Sequence, residues 1–239
     1  MISHKESEVQ ELKAEIEILG VAVELKRVDA AMSQVEEYLK NDKLNTIGVV
    51  TMQMLMQANK DERWKKYISD FDMTVICETE VLDAAGVEPE EPVYEEVETN
   101  EFIARLFWYL IQKDCRVYVL GDTESEARAL VKYLMETYPG IQIEGSSVVD
   151  SLEESDFDSL VNEINSNTVD IIVSGLAGTR QDQFVLENSS KINAKIWFSL
   201  GEHPSVQNDA GIKTSWWGNL LKKNTFKRMV TKYNSEKEG

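Results

Sequence analysis

The chain has 239 residues, 42% hydrophobic and 28% charged, which excludes a disordered or disulfide-scaffold protein and leaves enough apolar side chains for a real core. Forty-three acidic against 25 basic residues give a net charge of −18, a field that repels phosphate backbones and sets nucleic acid aside as a partner. Cys77 and Cys115 show no CxxC spacing and only two histidines could assist them, so no metal site is expected and reduced thiols suit a cytoplasmic protein. MISHKESEVQ is charged where a signal peptide is apolar, and no run of about 18 apolar residues occurs, so neither that export route nor a membrane span is expected.

In chain order, Glu15–Lys26 is an apolar run broken at Gly20, which suits a strand pair, and Asp29–Leu39 has the periodicity of an amphipathic helix. Strands are expected at Thr46–Thr51, Met73–Cys77, Arg116–Leu120, Ile141–Ile143, Val169–Ser174 and Lys195–Leu200, most of them apolar on both faces. Helices fall between them near 53–69, 100–113, 124–137, 153–165 and 181–193. Thr123 followed three residues later by Glu126 marks a capping box at the start of the third. Ile76–Glu101 holds ten acidic residues, no Lys or Arg, and Pro89 and Pro92, and reads as a solvated loop.

This alternation predicts an α/β fold: a mostly parallel, Rossmann-like sheet with helices on both faces. Residues 1–210 read as one domain. From Gly211 to Gly239 seven basic and two acidic residues give +5, leaving −23 on the rest, so 211–239 reads as a basic, amphipathic helical appendage.

Ligands of open parallel sheets bind at the carboxyl ends of the strands, which directs attention to the residues just after each one. These are Thr51-Met52-Gln53, Glu78-Thr79-Glu80, Gly121-Asp122-Thr123, Gly175-Leu176-Ala177-Gly178-Thr179-Arg180-Gln181-Asp182, and Gly201-Glu202-His203. No GxGxxG or P-loop sequence is present, so a standard dinucleotide or ATP site is not supported. The Gly175–Asp182 turn is the strongest local signal, since two glycines permit close backbone approach and a helix starting near Gln181 would offer N–H groups to an anion.

Leu19-Gly20-Val21, Thr51-Met52-Gln53-Met54-Leu55-Met56, Cys77-Glu78-Thr79, Leu120-Gly121-Asp122 and Gly175–Phe184 agree in order and spacing with motifs of the WecB/TagA/CpsF glycosyltransferases (glycosyltransferase family 26), and over most of residues 18–233 the chain resembles a divergent member. The resemblance implies a bacterial, inverting, metal-independent enzyme with no cofactor. It would move a sugar, often of N-acetylmannosamine type, from a UDP donor to an undecaprenyl-diphosphate-linked saccharide in cell-wall, teichoic-acid or capsular polysaccharide synthesis. Glu78 stands where the family has its aspartate base, and Thr51 and Gln53 join it in the catalytic set as residues that would position substrate at a strand end. Gly121, Gly175, Leu176, Gly178, Arg180, Gln181, Asp182 and Gly201 fall at nucleotide-binding positions. The basic tail, 215–233, would bring a cytoplasmic enzyme to the inner membrane surface.

Each position also has a plainer reading. Glu78 can be one charge of an acidic loop, Thr51 and Gln53 can cap a helix, His203 can be an exposed loop residue, and the tail can dock on the chain's own acidic body. Gln53, Glu78, Asp122 and Glu202 depart from the family pattern. They keep open a second reading, a member that has lost transfer activity and serves as a binding or scaffold partner. A sugar-nucleotide hydrolase would need a water-positioning group that the sequence does not reveal. Self-association into a homo-oligomer is left open.

Overall fold

The computed structural model describes residues 14–149, 156–175, 184–185, 188–201, 206, 209–210 and 216–237, with 14 and 216–221 described in backbone only. The chain opens with a hairpin of β1 (Ala14–Ile18) and β2 (Val21–Leu25). Ile18 pairs with Val21, so Leu19-Gly20 is a two-residue loop, and both residues have positive φ (52° and 77°), as a type I′ turn demands.

Next come α1 (Val28–Tyr38), β3 (Asn45–Val50), α2 (Met52–Ala58), α3 (Glu62–Ser69) and β4 (Met73–Ile76). The acidic stretch that follows carries α4 (Thr79–Ala84) and α5 (Pro92–Glu98), leading into α6 (Glu101–Gln112). The second half holds β5 (Arg116–Gly121), α7 (Glu124–Thr137), β6 (Gln142–Val148), α8 (Phe157–Ser166), β7 (Ile171–Ser174), β8 (Ile196–Ser199) and α9 (Trp216–Lys237). Strands β3 to β8 form one sheet in the order β4-β3-β8-β7-β5-β6, and every neighbouring pair is parallel. The expected α/β class therefore holds.

Side chains alternate across this sheet, as the two-residue period of a strand requires. Val117, Val119, Ile171, Val173, Ile196 and Phe198 pack under α1, α6 and α7 on one face. Tyr118, Leu120, Ile172 and Trp197 meet α8 on the other. Beside them a third cluster joins the hairpin to α2, α3 and α9 through Leu19, Val23, Leu55, Tyr67 and Phe226.

Three expectations need correction. Ile76–Glu101 is not a solvated loop: Val81, Leu82, Val93 and Val97 turn its two short helices into a small core, and Pro92 occupies the first turn of α5, where a missing N–H costs nothing. Helix α4 ends in a Schellman motif, with Gly86 N–H donating to the Asp83 carbonyl and Val87 N–H to that of Leu82, both at 3.1 Å. The buried carboxylate of Glu96 is satisfied by Arg27 Nε at 2.6 Å and Val28 N–H at 2.9 Å. The helix expected near 53–69 is two, because Asp61 caps α3 by accepting the Arg63 N–H at 3.0 Å and so ends the first helix at its own turn. Strand β6 runs well past Ile143, along a polar edge that an apolar pattern does not mark. Of the helix expected at 181–193, much lies outside the described residues; Ser189–Lys191 form a single 3-10 turn.

Helix α9 lies on the body from Lys223 onward. Phe226 is 2% exposed and Val230 8%, packed with Met229 and Tyr233 into the third cluster. Burying a phenylalanine this fully stabilises by about 1.5–3 kcal/mol, enough to define a docked position. No helix among the described residues is long and apolar enough to cross a membrane.

Candidate functional site

The parallel sheet places the strand ends in one row: Glu78 after β4, Thr51 and Met52 after β3, Gly201 after β8, Gly175 after β7 and Gly121 ending β5. Two parts of this row differ in chemistry.

At the β3/β4 end the polar side chains converge. Val50 pairs with Ile76, so two residues on Met52 lies beside Glu78, and the Glu78 carboxylate accepts the Met52 N–H at 2.6 Å. That N–H is one of the orphan donors at the start of α2, which an anion satisfies while also complementing the helix dipole. Burial raises the Glu78 carboxyl to about 7 against an ordinary 4.5; the Met52 hydrogen bond lowers it, neighbouring Glu80 raises it, and Lys223 and Lys222 lower it. Burial together with Glu78 keeps the Cys77 thiol protonated, and its Sγ lies 3.6 Å from the Val50 carbonyl. A carboxylate poised near neutrality at a strand end can take a proton from a substrate hydroxyl.

Thr51 is buried and its hydroxyl accepts the Met54 N–H at 3.2 Å, so it caps α2. Gln53 sits half-buried in the first turn of the same helix. Glu80 forms a close ion pair with Lys223 of α9. The inward stripe of α9, Lys223, Phe226, Val230, Tyr233 and Lys237, recurs at alternating spacings of three and four residues. Its far end is fixed by Glu17, which accepts from Lys237 at 2.8 Å and from Tyr233 at 3.0 Å. The part played by Lys222 and Lys223 beside Glu78 was not read from the sequence, although that spacing of apolar and basic residues was there to signal a docked face.

At the β5/β7/β8 end, backbone takes the place of side chains. A Cβ on Gly121 would lie 2.7 Å from the Ala127 backbone nitrogen, so glycine here lets the first turn of α7 press against the end of β5. Gly175 N–H donates to the Leu120 carbonyl at 2.8 Å and Gly201 N–H to that of Ser174 at 3.1 Å. Both amides are thus used within the sheet, and a Cβ on Gly175 would meet Leu130 Cδ2 at 3.3 Å and the Leu120 carbonyl at 3.5 Å, so this glycine serves close packing at the strand end. The capping box is present: Thr123 N–H donates to Glu126 Oε2 at 3.0 Å and Glu126 N–H to the Thr123 hydroxyl at 3.3 Å. Leu176, Gly178, Arg180, Gln181, Asp182 and His203 lie outside the described residues. Among the described residues no group of three or more His, Cys, Asp or Glu side chains is placed to hold a metal ion.

No curated protein matches the chain. The family model described as Glycosyl transferase WecG/TagA/CpsF family matches residues 16–207, from the hairpin through all six strands of the parallel sheet to the segment after β8, stopping short of α9. With most of its length matched, the chain belongs to the WecG/TagA/CpsF family of glycosyltransferases.

Proposed function

We propose that the chain is an inverting glycosyltransferase that moves a sugar from a UDP donor to a lipid-diphosphate-linked saccharide, within the cell-wall polysaccharide synthesis to which its family belongs. The observation that carries this reading is the Glu78 carboxylate, held at the end of β4 with one oxygen on the Met52 N–H and a proton affinity near neutrality. Its second oxygen accepts the proton of the acceptor hydroxyl as that oxygen bonds to the anomeric carbon. The bond from that carbon to the diphosphate breaks on the opposite face, UDP leaves with the electron pair, and Glu78 holds the proton. The nucleotide binds at the carboxyl ends of β5, β7 and β8, near Gly121, Gly175 and Gly201, where ligands of open parallel sheets bind. The sugar is an N-acetylmannosamine-type hexose and no metal is needed.

Isothermal calorimetry with UDP in EDTA tests the donor site. Binding at submillimolar UDP is the expected outcome; no heat at millimolar UDP, or heat only with Mg²⁺, overturns it. The acceptor's lipid places the enzyme at a membrane surface, and Lys227, Arg228 and Lys232 on the exposed side of docked α9 support electrostatic contact there. Charge reversal at these three positions is expected to abolish sedimentation with anionic vesicles in low salt, and unchanged sedimentation removes the membrane role.

One observation favours the second reading, a non-catalytic binding partner. The N-terminus of α7 is closed by its own Glu126, and Glu124 stands in the same turn, so carboxylates occupy ground that a diphosphate would need. Absence of UDP binding would make that reading the better one.

A further inference from the structure

We propose that Lys223 is a positioning residue for Glu78: by pairing with Glu80 it neutralises the carboxylate next to the base, so docking of the C-terminal helix and readiness of the base become one event. This deepens the transferase reading and rests on it for its catalytic meaning.

The groups that face Glu78 come from four elements. Helix α4, which Glu78 precedes, supplies Glu80, α2 supplies the Met52 N–H, the end of β4 supplies the protonated thiol of Cys77 just after it, and α9 supplies Lys222 and Lys223. Among the described residues, the cations acting on Glu78 come from α9. Without it, Glu78 and Glu80, two residues apart, would be left as a like-charged pair in a partly buried corner, and a carboxylate beside another binds its proton more tightly. A base kept protonated at neutral pH cannot accept the acceptor's proton.

What delivers Lys223 is an apolar footing. Phe226 and Val230, three and seven residues on, are buried against the body, and Lys237 on Glu17 fixes the far end. Lys223 therefore reaches Glu80 from a docked helix, its own side chain half-exposed and the Glu80 carboxylate three-quarters covered. The family match ends before α9, so this coupling belongs to the segment that follows the matched region.

The test follows Glu78 itself in the full chain, by carboxyl carbon NMR titration with the signal assigned through Glu78→Gln. Amide exchange at 226–233 reports docking in parallel. Lys223→Met is expected to raise the Glu78 midpoint by about half a pH unit or more, Glu80→Gln to lower it, and the double variant to return it close to the starting value. Phe226→Ala, which loosens the helix and leaves Lys223 in place, is expected to raise the midpoint in step with lost exchange protection. An unmoved midpoint in Lys223→Met and Glu80→Gln overturns the proposal, as does an unmoved midpoint in Phe226→Ala once protection is lost. If the midpoints move as stated and no UDP donor supports transfer, the coupling stands and the transferase reading falls.

Discussion

The two ends of the sheet's carboxyl edge are built on different principles. At β3 and β4 the chain concentrates side-chain chemistry: Thr51 caps, Glu78 reaches across a strand, and Glu80 holds a lysine from the C-terminal helix. At β5, β7 and β8 three glycines remove side chains, and their backbone groups serve the sheet and the packing of α7. The first end carries a group able to move a proton, the second is close-packed backbone, and the proposed transfer needs both within reach of one bond.

Substituting Glu78 tests this division most strongly. Glu78→Gln keeps shape and an acceptor for the Met52 N–H but loses the basic oxygen, so turnover should fall by about 10²–10⁴ with UDP affinity little changed. Steady-state kinetics beside calorimetry check it. A loss of UDP affinity would mean that the two ends are one site. Glu78→Asp, the residue the family resemblance leads one to expect, should keep part of the activity if the site retains that geometry.

The same carboxylate gives the β4 end a pH signature that the glycine end lacks. Its folded-state proton affinity, about 7, exceeds the ordinary 4.5, so the native chain holds the proton more tightly than the unfolded one. The stabilisation is complete below about 4.5 and is lost as pH rises through about 7. Between pH 5 and 8 the unsubstituted chain should lose about 2–3 kcal/mol relative to Glu78→Gln in urea unfolding, at about 1.36 kcal/mol for each pH unit of the raised proton affinity expressed in that interval. Parallel pH profiles for the two chains would place Glu78 in water. Turnover should rise over the same interval as the base ionises.

How legible each region was follows from the range of its interactions. Buried strands such as Arg116–Gly121 and Ile171–Ser174 stand out because both faces are apolar, and the Thr123–Glu126 box because it is complete within four residues. The helices at 79–84 and 92–98 were obscured by charge: Glu96 reads as solvated until Arg27 and Val28, far back in the chain, arrive to pair with it. Glu78 was legible as a strand-end carboxylate, but its hold on Met52 depends on the β3/β4 register and its cations on where α9 docks. Neither is local. Gly175 after β7 was readable as a place of close approach, whereas the direction of its amide is fixed only by strand pairing.

Thr51 is the finest test, because it joins both principles in one residue. Its hydroxyl accepts the Met54 N–H at 3.2 Å, which is the work of an N-cap, and it stands one residue before the N–H held by Glu78. As a cap alone, Thr51→Ala should cost about 1 kcal/mol of stability and Thr51→Ser only a fraction of that, since serine keeps the accepting oxygen. Stability by denaturation and turnover under conditions where both variants remain folded separate the roles. A cap that also orients α2 for Glu78 should lower turnover in Thr51→Ala by several-fold, with recovery in Thr51→Ser and no change in UDP affinity. If Thr51→Ala loses stability but keeps full turnover, the Met52 N–H is held by Glu78 without help, and the β3 end contributes architecture alone.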